Sequence, residues 1–264
     1  MSEVKRKAQL AKNAAYRLGA LTTEQKNEAL LRMAGELLEE RDSIIEANKK
    51  DLQRGRNNGT SPSLLDRLAL NPDRVAAMAE GLKQIAGLAD PTGDILEEIR
   101  RPNGLLIHKL RVPIGVIGII YEARPNVTVD AAGLCLKTGN AVVLRGGSAA
   151  LYSNERIVEV LHQAMVKTSV PEEALQIIMS SDRSSVDEML KLNGLLDVLI
   201  PRGGAFLIQN VVQNATVPVI ETGAGICHTY IDQAPWKKRL PVLPLMRRFS
   251  ALPCAILWRR CLCT

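Results

Sequence analysis

A chain of 264 residues, 46% hydrophobic and 23% charged, is long enough for one large domain or two around a full core. Its formal charge of +6 is carried by the last thirty residues, which hold seven Lys or Arg and no acid, while 27 basic residues face 28 acidic ones before them. With aromatics at only 3% and no basic stripe along a helix, the composition argues against a nucleic-acid partner.

The N-terminus is charged throughout and lacks the apolar run of a secretory signal, and no segment approaches a membrane span, so no membrane partner is expected. Only Cys135 and Cys227 precede the basic tail, which suits a reducing, cytoplasmic compartment better than a disulfide scaffold. Cys254, Cys261 and Cys263 have no partners at zinc-site spacing, so no metal is expected.

In chain order, residues 3 to 18 and 23 to 55 carry apolar side chains at helical spacing. The second group opens on a Thr-Thr-Glu-Gln cap signal and closes in RGRNNGTSPS. Helical pattern resumes from Pro62 to Leu70 and again after Asn71-Pro72-Asp73, where Asn caps and Pro fits the first turn. Residues 1 to 93 thus form a helical layer. Asp94 to Arg100 and Leu105 to Arg111 are short apolar segments around Pro102-Asn103-Gly104, where Asn-Gly supplies the positive φ angles of a tight hairpin. The ribbon of residues 94 to 112 needs a partner, its own body or a second subunit.

From residue 113 the pattern alternates. Val116 to Ile120, Ala141 to Leu144, Ala174 to Met179, Leu196 to Ile200 and Val217 to Ile220 read as strands. Val127 to Lys137, Ser148 to Lys167, Ser185 to Leu192 and Ala205 to Asn214 read as helices between them. This alternation predicts an α/β fold with a doubly wound parallel sheet over residues 113 to 233.

Ligands of such sheets bind beyond the carboxyl ends of the strands. That rule selects the loops Tyr121 to Asn126, Arg145 to Ser148, Pro201 to Ala205 and Glu221 to Gly225. Arg145-Gly146-Gly147-Ser148 runs straight into a helix, so its N–H groups and guanidinium could meet a phosphate. Arg202-Gly203-Gly204 repeats the pattern. No GxGxxG is present, and ordinary strand-to-helix turns remain an alternative for each loop. His108, His162 and His228 read as packed or surface residues. Cys227-His228 are strand neighbours that point to opposite faces, and Glu221 could be a general base or a loop cap.

The strings VPIGVIGIIYEARPNVTVDAAGLCLKTGNAVVLRGGSAA, DVLIPRGGAFLI and VPVIETGAGICHTYID closely resemble the gamma-glutamyl phosphate reductases of the aldehyde dehydrogenase superfamily. The resemblance implies a Rossmann-like cofactor domain and NADPH-dependent reduction of L-glutamate 5-phosphate to the 5-semialdehyde with release of phosphate, a step of proline biosynthesis. In that chemistry a cysteine thiolate attacks the acyl phosphate and nicotinamide hydride reduces the resulting thioester. By resemblance, Arg145, Gly146, Gly147 and Ser148 form the loop near the adenosine ribose and its 2'-phosphate. Arg202, Gly203 and Gly204 open the helix beside the pyrophosphate, and Gly223 belongs to the Gly-rich loop after Glu221. Asn126 sits where an oxyanion donor is placed, Glu221 matches a glutamate of doubtful need in a phosphate-releasing reductase, and the ribbon matches an oligomerisation hairpin that makes a homo-oligomer.

The resemblance ends near Asp232. The family's nucleophilic cysteine lies in a stretch like Gln-Arg-Pro-Ser-Val-Cys-Asn, and codons for it, read one base later, give Ser-Ala-Leu-Pro-Cys-Ala, the sequence of residues 250 to 255. The tail, residues 234 to 264, therefore reads as a one-base frame change near Ala234 in place of the catalytic domain, and the chain is expected to lack turnover. The rivals are a non-catalytic NADPH-binding remnant and another aldehyde dehydrogenase.

Overall fold

The computed structural model describes residues 1–122, 124–221, 227–231 and 258–263. Its centre is a four-stranded parallel sheet in the order β5-β4-β3-β6, built from β3 (Val116–Tyr121), β4 (Ala141–Arg145), β5 (Leu175–Ile177) and β6 (Val198–Arg202). Every residue of β3 is buried, as a strand covered on both faces requires. The expected fifth strand is reduced to a single bridge between Val219 and Leu199 beside β6. Pro218 accepts from Leu199 N there, but neither Pro218 nor Pro201 has an N–H to donate, which stops the ladder on both sides of the bridge.

Helices cover both faces. α1 (Glu3–Gly19) is capped by Ser2 and buries Val4, Ala8, Ala11, Ala14 and Leu18 along one stripe, laid across β3, β4 and β5. Glu3 accepts from Met179 N and Ser180 N at 3.0 and 3.2 Å, and Lys12 pairs with Asp197 at 2.8 Å, so α1 is fastened beside the sheet at its start and at its middle. On the opposite face lie α6 (Asn126–Lys137) and α7 (Leu151–Met165), backed by α2 (Thr23–Glu39), α3 (Arg41–Asn57) and α5 (Pro72–Gly87). The short α4 (Pro62–Leu68) packs on α3, while α8 (Arg183–Met189) packs on α1 and α9 (Ala205–Asn214) on β6.

The cap signals act as expected. Thr22 and Gln25 form a capping box on α2, and Asn71 with Pro72 opens α5, each cap contributing about 1 kcal/mol. The single helix expected over 23 to 55 is instead two, divided at Glu40 (φ −94, ψ 12). Neither Gly nor Pro breaks it. Ser43 donates to the Glu40 carbonyl and carboxylate, and Arg156 of α7 holds that carboxylate at 2.6 Å. The bend lets α2 and α3 both pack on α7. A buried ion pair between Lys26 of α2 and Asp90 lies near Lys137 of α6, which donates to Asn27 Oδ1 and Ala86 O at 2.6 and 2.9 Å, so α2, α5 and α6 meet around one charged knot.

β1 (Ile95–Arg100) and β2 (Leu106–Leu110) form the antiparallel ribbon. Its turn departs from expectation: Gly104 takes φ +85, but Asn103 does not have positive φ. Gly104 N donates to Arg101 O, and Arg101 N to Leu105 O. This is a type I turn at Pro102-Asn103 followed by a left-handed Gly, a three-residue hairpin loop. Both strands are exposed almost throughout. β7 (Cys227–Ile231) and β8 (Trp258–Cys263) pair in parallel.

Candidate active site at the carboxyl edge of the sheet

The chain leaves β3, crosses outward to β4 and β5, then returns to the other side of β3 as β6. The strand order therefore reverses between β3 and β6, the crevice where doubly wound sheets bind their ligands. Register brings the expected loops to it. Arg145 stands opposite Ile120 at the end of β3, and Arg202 stands opposite Tyr121 on the other flank. Glu221 follows the Val219 bridge at the same edge. Gly223, like most of the tail, lies outside the described residues.

The Arg145 loop is not the helix N-terminus that its sequence suggests. Ser148–Ala150 form a 3-10 turn before α7 begins at Leu151. The first N–H groups of α7 are already taken, because buried Asp51 of α3 accepts from Tyr152 N at 3.2 Å and from Ser153 N and Oγ at 2.8 and 2.6 Å. Burial raises the pKa of Asp51 despite these bonds. An anion at this loop would thus meet side chains rather than a free helix end. Arg145 donates to Gly146 O, Ser181 O and Asp182 O, and its buried Nε has no partner among the described residues. Burial lowers its pKa, yet a guanidinium remains charged, so one polar atom is left for an incoming acceptor. Gly146 is set by packing: a Cβ there would lie 2.3 Å from Asn154 Nδ2. Asn154 belongs to a buried chain in which Tyr121 Oη meets Thr128 Oγ1 at 2.7 Å and Thr128 donates to Asn154 Oδ1 at 2.9 Å. Burial drives the Tyr121 phenol pKa upward, which keeps it neutral.

The Arg202 loop does open a helix. Gly204 caps α9 without any side-chain bond of its own. The crevice holds a residue that the sequence did not single out: Glu122, which accepts from Gly204 N at 3.2 Å. A Cβ on Gly203 would lie 2.7 Å from its carboxyl carbon, so Gly203 is what admits the carboxylate. An acid beside the positive end of α9 is favourable, and it shows that this helix end accepts an anion. A paired reading of YEARPN with PRGG could have found it, since β3 and β6 are neighbours.

Asn126 begins α6, its amide donating to Asp130 Oδ2 at 3.3 Å. It lines a cavity of about 350 Å³ between α4, α5 and α6, with Met78 of α5 in its wall. Cys135 is a free cysteine buried in α6, and burial pushes its thiol up to about 12, the wrong direction for a nucleophile. His108 faces Glu98 across the ribbon at 3.1 Å, and His162 bonds the Leu175 carbonyl at 2.7 Å. Neither is near the crevice loops. Among the described residues no acid, His or Cys cluster could hold a metal, and no helix is long and apolar enough to cross a membrane.

Residues 1–216 match the sequence pattern of the aldehyde dehydrogenase family. The chain belongs to that family. It is 58% identical over 232 residues to the gamma-glutamyl phosphate reductase of Desulforamulus reducens, covering 88% of this chain and 56% of that protein. The crystal structure of gamma-glutamyl phosphate reductase from Thermotoga maritima superposes with a TM-score of 0.86 at 43% identity, over 94% of this chain and 60% of the other. The enzyme of the same name from Saccharomyces cerevisiae gives 0.79 at 29% identity, over 88% and 59%. The chain thus spans a little over half the length of the relatives it matches. Its sheet, helical layers and ribbon are those of an aldehyde dehydrogenase fold, and membership of this family implies a nicotinamide cofactor.

Proposed function

We propose that this chain is the cofactor-binding portion of a gamma-glutamyl phosphate reductase, which reduces L-glutamate 5-phosphate to L-glutamate 5-semialdehyde with release of phosphate, in the cytoplasm and on the route to proline. The observation that carries the reading is the 58% identity sustained over 232 residues, in strings that fall on the loops lining one crevice. The cofactor is NADPH, which supplies hydride when bound. The residues present fit it: Arg145 has a buried polar atom to spare, and the end of α9 accepts an anion. Arg145 with Ser148 would hold the 2'-phosphate, charge-assisted by the guanidinium, with Gly146 and Gly147 shaping the turn. Arg202, Gly203 and Gly204 would hold the pyrophosphate, and Gly223 is assigned to cofactor binding by resemblance alone. Asn126 has a second amide proton for the acyl oxygen, and Glu221 would order the loop that follows it. The exposed ribbon is read as a homo-oligomer contact, and neither nucleic acid nor membrane is a partner.

A second reading, NADPH binding without turnover, is favoured by the burial of Cys135, the one cysteine before residue 227, whose thiol is pushed up to about 12, away from the thiolate. Titrating the purified chain with NADPH, followed by cofactor fluorescence, and then adding L-glutamate 5-phosphate tests both. Saturable binding with no NADPH oxidation is expected. Measurable turnover would overturn the second reading, and absence of binding would overturn the first.

A further inference from the structure

The cavity between α4, α5 and α6 has a composition that the cofactor crevice does not explain. It is small, about 350 Å³, within the range of small-molecule sites, and it opens beside the loop that follows β3. Its wall carries three guanidinium groups, Arg67, Arg74 and Arg124, and two carboxylates, Asp66 and Asp130. Five charges around so small a space do not suit an apolar aldehyde, since an unpaired buried charge is costly. Some are committed within the wall: Arg74 donates to the Asp66 and Ala69 carbonyls and pairs with Asp66 Oδ1 at 3.3 Å. Two are not. The half-buried guanidinium of Arg124 has no hydrogen-bond or ion-pair partner among the described residues. Among the described residues the Asp130 side chain has one partner, the long bond of 3.3 Å from Asn126, and burial raises its pKa, the sign of a carboxylate short of compensation.

We infer that this cavity receives the α-amino-acid end of the substrate, with Asp130 taking the α-ammonium and Arg124 the α-carboxylate, while the side chain of the substrate extends past Asn126 toward the strand edge. The inference rests on the reductase reading above and deepens it. A guanidinium and a carboxylate in the wall of one cavity of about 350 Å³ select a zwitterion over either half of it, because removing one charge from the ligand leaves the group that faced it without a partner. Asn126, which lines the same cavity, then offers its second amide proton to the ligand.

The test uses the 264-residue chain and three stable probes followed by saturation-transfer NMR: L-glutamate, glutarate, which lacks the ammonium, and γ-aminobutyrate, which lacks the α-carboxylate. L-Glutamate is expected to bind most tightly. Asp130→Asn should weaken L-glutamate by about tenfold or more and leave glutarate unchanged. Arg124→Gln should weaken L-glutamate similarly and leave γ-aminobutyrate unchanged. Thermal melts and NADPH titration of both variants report folding and the cofactor crevice. If the folded chain binds NADPH but not L-glutamate, or if either variant weakens all three probes alike, the cavity assignment is overturned and the reductase reading survives. If NADPH fails to bind while the crossed pattern holds, the reverse is concluded.

Discussion

Asp90 and Lys26 show how much one buried charge pair can be asked to do. Burial alone would raise the Asp90 carboxyl, but the Lys26 ammonium and the bonds from Thr92 and Thr23 outweigh it and hold the group at about 2, below its ordinary 3.8. A folded value lowered in this way gives stability that is fully present above pH 3.8 and is lost as pH falls through 2. Lys26→Met should therefore cost ~3–5 kcal/mol near neutrality, as an unpaired buried carboxylate does, and should flatten the acid limb between those two pH values. Urea melts from pH 2 to pH 7 check both, and an unaltered acid limb would show that another carboxylate sets it. Glu122 is the other residue with a defined expectation. Its carboxylate occupies Gly204 N at the helix end assigned to pyrophosphate, so it must yield or repel when the cofactor arrives. Glu122→Gln should tighten NADPH by a factor of about 3–10, the scale of one like-charge contact of roughly 1 kcal/mol. Equal or weaker affinity would mean that the pyrophosphate lies elsewhere.

Among the elements, the ribbon is the one that does not support itself. Leu96, Leu105, Leu106, Ile107 and Leu110 are each at least 39% exposed, and a lone two-stranded ribbon is marginal in water. Ile99 pairs with Ile107 across it, which gives one face an apolar centre. If the ribbon joins subunits, Ile107→Asp should reduce the sedimenting mass to that of one chain while the melting temperature of the body stays within a few degrees. A mass unaffected by the substitution would remove the ribbon from the interface. The helices differ from the ribbon in how openly the sequence states them. Thr22, Gln25, Asn71 and Pro72 act within three residues of themselves, and so their roles could be read locally. The division at Glu40 could not, because Arg156, 116 residues away, is what holds it. The same holds for α7, whose first N–H groups go to Asp51 of α3, about 100 residues away.

For the whole molecule, the change of composition after Ala234 remains the most direct thing to test. Reading the gene one base over after codon 234 should restore a segment like that of the reductases, with a cysteine codon overlapping those of residues 250 to 255. A gene that gives no such segment in either alternative frame would end the frame-change explanation. The alternation of apolar runs and helical periods determined the doubly wound sheet by itself, because burial on both faces leaves a pattern in each strand. Likewise, sequence alone could place the loops after β3, β4 and β6 at one edge of the sheet, since parallel strands bring their carboxyl ends to the same side. What sequence could not decide was which loops are neighbours. Strand order alone sets Glu122 against Gly203 and Gly204, and helix packing alone gathers Arg124 and Asp130 with residues of α4 and α5 around one cavity. Those contacts join residues about 50 to 80 positions apart, and only the folded chain brings such residues within reach of one another.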